Sequence, residues 1–92
     1  MLWLLIMSNP IFHVRIASPN STLYEGEADS VTSTNSKGLF DILAEHANFI
    51  TLIENKPIII RIPGKTPLTY TFPIAIIYTS QNRVNIYTYS QP

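Results

Sequence analysis

Residues 35–51 read NSKGLFDILAEHANFIT, and this stretch decides the fold. Two short apolar runs begin in it, at residues 39–43 and 49–53, and their length suits strands better than helices. Residues 44–48 join the two runs. We therefore expect two strands with a tight connection that passes between opposed sheets.

The residues before this stretch have the same β character. Residues 12–16 alternate apolar and polar side chains, and the Ser18-Pro19 pair ends that predicted strand in a turn. Residues 23–34 are predicted to form a second, longer strand. Within it, Gly26 indicates a bulge or a close backbone approach.

Further strands are predicted after the stretch, at residues 58–62, 68–72, 74–79 and 84–88. The Pro63-Gly64 turn makes a hairpin of the first two, and Asn82 is expected to adopt a positive φ before the last. The predicted fold class is all-β. We expect a flattened barrel or sandwich of two packed, mostly antiparallel sheets with about eight to ten short strands.

The composition argues against several classes of function. Six basic and six acidic side chains leave no net charge, so we expect no nucleic-acid binding. The absence of cysteine removes disulfides, thiolate nucleophiles and cysteine metal sites. Charged residues are only 13% of the chain, against about 25% in an average domain. Either another protein covers part of the surface, or Ser, Thr and Asn supply its polar face.

Groups for catalysis or for holding a cofactor are scarce. His46 beside Glu45 looks like a base with a carboxylate, but neighbouring strand residues point to opposite faces, so we interpret His46 as structural. His13 has too few partner ligands for a metal site, and Glu25 and Glu27 read as a solvated strand face. The glycines are isolated and form no phosphate cradle. The sequence therefore predicts no enzyme, no cofactor and no metal ion.

Three motifs lie in a characteristic order: the Ser18-Pro19 turn, residues 24–31 (YEGEADSV) and residues 35–51. In this order they resemble the N-terminal domain of the epsilon subunit of rotary ATP synthases, over residues 12–88. That family has an aromatic-x-Gly-x-Ala/Val-x-x-Val strand and a Gly-Ser-x-Gly-x-x-Gly-Ile-x-Pro-x-His-Ala-Pro-x-x-Thr segment. By this resemblance Gly26, His46 and Ala47 belong to the structural motif.

The resemblance implies a function without chemistry. It implies a central-stalk (rotor) subunit of a proton-translocating ATP synthase, which links the gamma subunit to the membrane ring of c subunits and couples rotation to ATP synthesis. Ser36, Lys37, Gly38 and Leu39 correspond to the turn that faces the c ring. The implied location is peripheral to the energy-coupling membrane, on its cytoplasmic side or on the matrix or stroma side in an organelle, without a spanning segment.

The sequence also departs from the family pattern. Leu39 stands where an acidic residue is common, so a charge pair with the ring is lost or moved. Asp41 replaces a usual glycine, and Ala44 and Asn48 replace two prolines. A Ser-Gly-Gly segment is missing near residues 73–75. We expect these changes to affect the contacts more than the fold.

The two ends of the chain carry separate expectations. Residues 1–10 are interpreted as an apolar N-terminal extension and residues 11–92 as the β-sandwich domain. The apolar run of residues 1–7 is far shorter than the roughly 20 residues of a membrane-spanning helix, and it is either a strand extension or an upstream start before Met7. Many family members continue into a helical hairpin. Because no hairpin follows the last predicted strand, we expect neither hairpin-type inhibition nor ATP binding.

The alternative interpretation is a free-standing small β-sandwich interaction module that self-associates through its apolar N-terminus. Co-purification with a gamma subunit or a c ring favours the rotor subunit. A stable homo-oligomer that binds neither favours the module.

Overall fold

The computed structural model describes residues 10–45 and 47–89, and within them the chain forms nine strands and no helix. The strands are β1 (Phe12–Ser18), β2 (Ser21–Ala28), β3 (Ser30–Asn35), β4 (Gly38–Leu43), β5 (Phe49–Ile53), β6 (Pro57–Arg61), β7 (Leu68–Thr71), β8 (Ala75–Ser80) and β9 (Arg83–Tyr87). The predicted all-β class and the predicted number of strands are confirmed. His46, and the N-terminal extension apart from Pro10, lie outside the described residues.

The strands form two sheets that pack face to face. One sheet has five strands in the order β2-β1-β9-β8-β5, and the other has four in the order β4-β3-β6-β7. Neighbouring strands run antiparallel except β1 and β9, which are parallel. This arrangement is the predicted sandwich of mostly antiparallel sheets.

The core lies between the two sheets and is built mainly from β-branched side chains. Seven isoleucines in it are almost completely buried: Ile16, Ile42, Ile53, Ile58, Ile60, Ile77 and Ile86. Each buried side chain of this kind contributes about 1.5–3 kcal/mol relative to an exposed one. Because these residues recur at every second position, the strands show one buried and one exposed face.

The prediction of one long strand at residues 23–34 is wrong. β2 ends at Ala28 in the five-stranded sheet, and β3 begins at Ser30 in the four-stranded sheet. Between them, the backbone N–H of Asp29 donates to the carbonyl oxygen of Arg61 at 2.9 Å. This bond fixes the corner at which the chain changes sheets.

Gly26 lies under the side chain of Tyr24. A Cβ added at Gly26 would be 2.7 Å from the Tyr24 hydroxyl oxygen, so any larger residue would displace this ring from its place. The Tyr24 hydroxyl donates to the carbonyl oxygen of Glu27 at 3.4 Å. The irregular register of the β1–β2 pair lies elsewhere, between Ile16 and Ala17. The glycine therefore accommodates a close approach and not a bulge.

Two hairpin turns follow the predicted turn chemistry. In the β6–β7 turn, the Lys65 N–H donates to the carbonyl oxygen of Ile62 at 3.0 Å, and Gly64 has φ of +73°. In the β8–β9 turn, Gln81 and Asn82 have φ of +53° and +59°, the pattern of a two-residue type I′ turn. The predicted positive φ of Asn82 is confirmed.

Because successive strands reverse direction, their connections gather at two ends of the sandwich. One end carries the β1–β2, β3–β4 and β5–β6 turns, the β7–β8 connection and the last residues of β9. We call it the Lys37 end. The opposite end, which we call the Lys65 end, carries the β2–β3 corner and the remaining connections.

Candidate functional site

The β3–β4 turn consists of Ser36 and Lys37, between the paired residues Asn35 and Gly38. The Oδ1 atom of Asn35 accepts a hydrogen bond from the backbone N–H of Lys37 at 2.9 Å. Gly38 has φ of +121°, which strains any residue with a side chain. The turn is exposed, and 77% of the Leu39 side chain beside it is accessible to solvent. These residues therefore form a protruding tip with a defined backbone.

Asn35 also ties this turn to the opposite sheet. Its Nδ2 atom donates to Oγ1 of Thr51 in β5 at 2.9 Å. One amide side chain thus holds the turn through its oxygen and the neighbouring sheet through its nitrogen. A second tie between strands lies close by, where the Ser33 hydroxyl donates to the carbonyl oxygen of Pro57 at 2.8 Å.

A polar cavity of about 230 Å³ opens between the β3–β4 turn and the β5–β6 turn. It is lined by Thr34, Asn35, Ser36, Thr51, Leu52, Glu54 and Lys56. Its wall contains hydroxyl, amide, carboxylate and ammonium groups, with one aliphatic side chain. The lining exposes polar and apolar atoms in similar amounts, and its polar groups can hydrogen-bond a polar segment of a partner.

The outer face of the five-stranded sheet carries exposed apolar side chains on β5, β8 and β9. Ile50 lies opposite Tyr78, Leu52 opposite Ile76, and Ile76 opposite Tyr87. Between 40% and 67% of each side chain is exposed. These five residues form one continuous surface, which we call the apolar strip. Contiguous apolar surface of this kind is typical of protein interaction sites.

At the Lys37 end the apolar strip deepens into an open groove of about 420 Å³. The groove is lined by Ala17, Ser18, Pro19, Ile74, Ile76, Tyr87, Thr88 and Tyr89. The Thr88 hydroxyl donates to the carbonyl oxygen of Ile74 at 2.9 Å, so this polar side chain is already paired inside the groove wall.

The other half of the same sheet face is charged. Glu25 in β2 lies 2.8 Å from Nε2 of His13 and 4.0 Å from Nε of Arg15 in β1. Arg15 also donates to Oγ1 of Thr22 at 3.1 Å. All three ionisable groups are one third to one half exposed, so the cluster is a solvated ion-pair network. Glu25, which was predicted to lie on a solvated face, thus contacts both the His13 imidazole and the Arg15 guanidinium.

A hydrogen-bonded chain crosses the outer face of the four-stranded sheet. The Thr32 hydroxyl donates to Oδ1 of Asp41 and accepts from Nη1 of Arg61 at 2.7 Å. Asp41 of β4 is thereby bonded to β3, and Thr32 links it to Arg61 of β6. The sequence did not predict this row of hydrogen bonds, although the register of the β3–β4 hairpin places Asp41 opposite Thr32.

Ala47, the other described residue of the predicted structural motif, lies at the Lys65 end. The carbonyl oxygen of Ala47 accepts a hydrogen bond from Oγ1 of Thr79 at 3.0 Å. Glu45 has φ of +60°, and its N–H donates to Oδ1 of Asn82 at 2.7 Å. Asn82 in turn donates to the carbonyl oxygen of Ile11 at 3.1 Å. Asn82 thus joins the β8–β9 turn to the β4–β5 connection and to the residue that precedes β1.

Burial, with a smaller contribution from Tyr70, raises the pKa of the Tyr24 hydroxyl above its ordinary value. Tyr70 itself stacks on Phe72, with ring centroids 5.9 Å apart. This aromatic group lies where β2 and β7 close one side of the sandwich. It contributes packing and presents no group suited to acid or base chemistry near neutral pH.

In residues 10–45 and 47–89, no three His, Cys, Asp or Glu side chains lie close enough to hold a metal ion. The same residues contain no helix of the length and apolarity that a bilayer crossing requires.

Comparison with known proteins gives a consistent result. Residues 11–90 match the family described as the ATP synthase, Delta/Epsilon chain, beta-sandwich domain. Over 41 residues, 45% of its length, the chain is 49% identical to the ATP synthase epsilon chain of Sulfurimonas denitrificans, of which the match covers 32%. The chain thus spans about a third of that relative.

Solved structures share the fold at low sequence identity. A chain in the cryo-EM structure of the Euglena gracilis mitochondrial ATP synthase with its c-ring superposes with a TM-score of 0.76, at 13% identity, over 84% of this chain and 49% of that one. A chain in the central stalk and c-ring structure of the Tetrahymena thermophila mitochondrial ATP synthase gives 0.68, also at 13% identity, over 85% and 63%.

Proposed function

This chain belongs to the delta/epsilon-chain β-sandwich family of ATP synthases, and from that premise we propose that it is a non-catalytic central-stalk subunit of a rotary, proton-translocating ATP synthase. In this function it links the gamma subunit to the c ring and couples rotation to ATP synthesis. The observation that carries the proposal is the family match over residues 11–90. The shared fold with chains of two ATP synthase assemblies that contain a c-ring supports it.

We assign the contact with the c ring to the Lys37 end, and first to Ser36, Lys37, Gly38 and Leu39. The tip formed by these residues is exposed, and its backbone is held by Asn35 and by the positive φ of Gly38. A loop fixed on a rigid sandwich is a favourable place for a contact that must transmit force. The chain would then lie at the membrane surface through the complex, without a segment in the bilayer.

We assign the contact with the gamma subunit to the apolar strip. The strip lies on a side of the sandwich, so it remains available when the Lys37 end faces the ring. Its exposed side chains include two tyrosines and two isoleucines, and burial of such residues is the usual source of binding energy in a stable interface. The charged half of the same face would form the polar rim.

The mechanism in this function is mechanical. During ATP synthesis, torque from the ring enters through the Lys37 end and leaves through the apolar strip to gamma, and the sandwich transmits it because its strands are hydrogen-bonded side by side and its core is closely packed. No bond is made or broken by this chain during the cycle.

A crosslinking experiment tests the ring contact. The chain has no cysteine, so Lys37→Cys creates a unique attachment site for a photoreactive thiol probe. In the assembled synthase we expect the Lys37→Cys chain to form a covalent product with the c subunit. Lys65→Cys is the matched control, because this exposed lysine lies at the opposite end. A purified chain that forms only homo-oligomers and co-purifies with neither gamma nor the ring would overturn the proposal.

The assignment of gamma is tested separately. Ile50→Asn combined with Tyr78→Asn removes two opposed apolar side chains from the strip without touching the core. We expect the variant to retain its thermal midpoint and to lose co-purification with gamma. Thr69→Asn, at an exposed position of β7 in the other sheet, is the control and should retain it. Unchanged recovery of gamma with the double variant would refute this assignment.

A further inference from the structure

We propose that the polar cavity between the β3–β4 and β5–β6 turns is a receptor site for a polar loop of the c subunit, so that the ring contact is a cleft between two turns and not a single tip. This inference rests on the proposed function and specifies its partner surface. It adds Glu54 and Lys56 to the contact and makes Asn35 the residue that shapes it.

The position of the cavity is the first argument. Ser36 of the exposed tip forms one wall, and Glu54 and Lys56 of the β5–β6 turn form the other. Any partner that rests on the tip therefore also lies over the opening. A volume of about 230 Å³ is enough for one or two side chains of a loop and too small for a helix.

The chemistry of the wall is the second argument. Six of the seven lining residues carry a polar group, and the β5–β6 turn contributes a carboxylate, Glu54, and an ammonium group, Lys56. Lys37 lies beside the cavity in the β3–β4 turn. The apolar groove of the same end contrasts with it, because that groove presents almost only apolar atoms. A hydrophilic loop fits the first site and a hydrophobic segment the second.

The fixed shape of the cavity is the third argument. Asn35 uses both ends of its amide, accepting from the Lys37 N–H and donating to Thr51 across the cavity. The β3–β4 turn is therefore held against β5, the strand that leads into the β5–β6 turn, before a partner arrives. Such preorganisation lowers the entropic cost of association. Asn35 acts as a positioning residue for both walls.

The cavity also adjoins the apolar strip. Leu52 lines the cavity and belongs to the strip, so the two candidate surfaces meet along β5. The ring contact and the gamma contact would then be continuous.

Single-cysteine chains in the assembled synthase test the cleft. Photoreactive probes are attached to Lys37→Cys, Lys56→Cys or Lys65→Cys, and the crosslinked partner is identified by mass spectrometry. We expect products with the c subunit from Lys37→Cys and Lys56→Cys, and none from Lys65→Cys.

The possible outcomes separate the two proposals. A c-subunit product from Lys37→Cys without one from Lys56→Cys overturns the cleft and leaves the proposed function intact. A product of Lys56→Cys with gamma in place of c also overturns it. No c-subunit product from either lysine overturns the ring contact itself, and an equal yield from Lys65→Cys does the same.

A second measurement tests the positioning by Asn35. Thr51→Val removes the hydroxyl that accepts from Asn35, and Asn35→Ala removes both hydrogen bonds. We expect each to weaken binding of the chain to a stalk and ring that lack it, by roughly three- to tenfold at a temperature well below unfolding. Thr69→Val, at an exposed position of β7, is the control. Unchanged affinity with Asn35→Ala and Thr51→Val would refute the role of the bridge.

Discussion

Replacement of Gly26 by alanine is expected to destabilise the domain through one defined contact. The added Cβ would lie 2.7 Å from the hydroxyl oxygen and 3.2 Å from Cζ of Tyr24, both closer than an ordinary contact. The φ of Gly26 lies outside the left-handed region, so the backbone itself would accept alanine. The cost therefore arises from the tyrosine ring alone.

The magnitude follows from two opposed effects. Overpacking of a filled site costs about 1–3 kcal/mol, while a Gly-to-Ala change at a compatible backbone position stabilises by about 0.4–1 kcal/mol through the unfolded chain. Their midpoints leave a net loss of roughly 1.3 kcal/mol, or about 5–10 °C in the thermal midpoint of a domain of this size. If the Tyr24 ring instead moves into solvent, the clash is relieved, and the free-energy cost then comes from the lost burial of the ring.

Thermal unfolding of four chains tests this reasoning: wild type, Gly26→Ala, Tyr24→Phe and the double variant. Tyr24→Phe removes the atom at 2.7 Å and leaves the one at 3.2 Å, so the double variant should recover part of the loss. The double-mutant cycle then gives the coupling between the two positions. A Gly26→Ala chain as stable as wild type, or an equal loss with and without the tyrosine hydroxyl, would refute the reasoning.

Three further predictions follow from single groups. Burial, with Tyr70 nearby, raises the folded-state pKa of Tyr24 above its ordinary value of 10.0. The neutral hydroxyl therefore contributes fully to stability below pH 10, and this contribution is lost as the pH rises further. The thermal midpoint of Tyr24→Phe should fall less steeply above pH 10 than that of the wild type, and an equal fall in both chains would contradict this. Thr32→Val should cost about 1–2 kcal/mol in urea unfolding because it separates the acid and the guanidinium that the hydroxyl joins, whereas Thr69→Val should be nearly neutral. Asn82→Ala should lower the free energy of unfolding by about 1–3 kcal/mol, because it removes two hydrogen bonds and a residue that tolerates a positive φ. Asn82→Gly should recover the part of this loss that is due to φ. If both variants lose the same free energy, the whole effect belongs to the hydrogen bonds.

Alternation of apolar residues was sufficient to predict the fold class, but not the division of residues 23–34 between two sheets. In β3 the buried positions are Val31, Thr32 and Ser33 in succession, two of them polar. Their burial depends on partners, since Ser33 bonds to the start of β6 and Thr32 to two neighbouring strands. A sequence pattern that records only apolar side chains does not mark such a strand or its corner.

The candidate contact surfaces were predicted unequally for a similar reason. The turn at Ser36 and Lys37 can be predicted locally, because the four consecutive residues 35–38 contain the whole turn and its glycine. The apolar strip depends on long-range packing. Ile76 and Ile77 are the same residue type side by side, yet 40% of the first side chain is exposed and the second is fully buried. Which of them faces a partner is decided by the position of the opposite sheet.

A coupling domain needs its two contact surfaces at an angle to each other and rigidly joined, and β5 meets this requirement. Its outward residues Ile50 and Leu52 belong to the apolar strip, while Thr51, on its inward face, anchors the bridge from Asn35 that shapes the cavity. Alternation along one short strand thus connects the surface assigned to gamma with the surface assigned to the ring. Because β5 is an edge strand that pairs only with β8 in its sheet, the β5–β8 pair joins the cavity to the part of the apolar strip that lies on β8 and β9. Variants that weaken the β5–β8 pairing should therefore disturb coupling before they disturb binding at either surface.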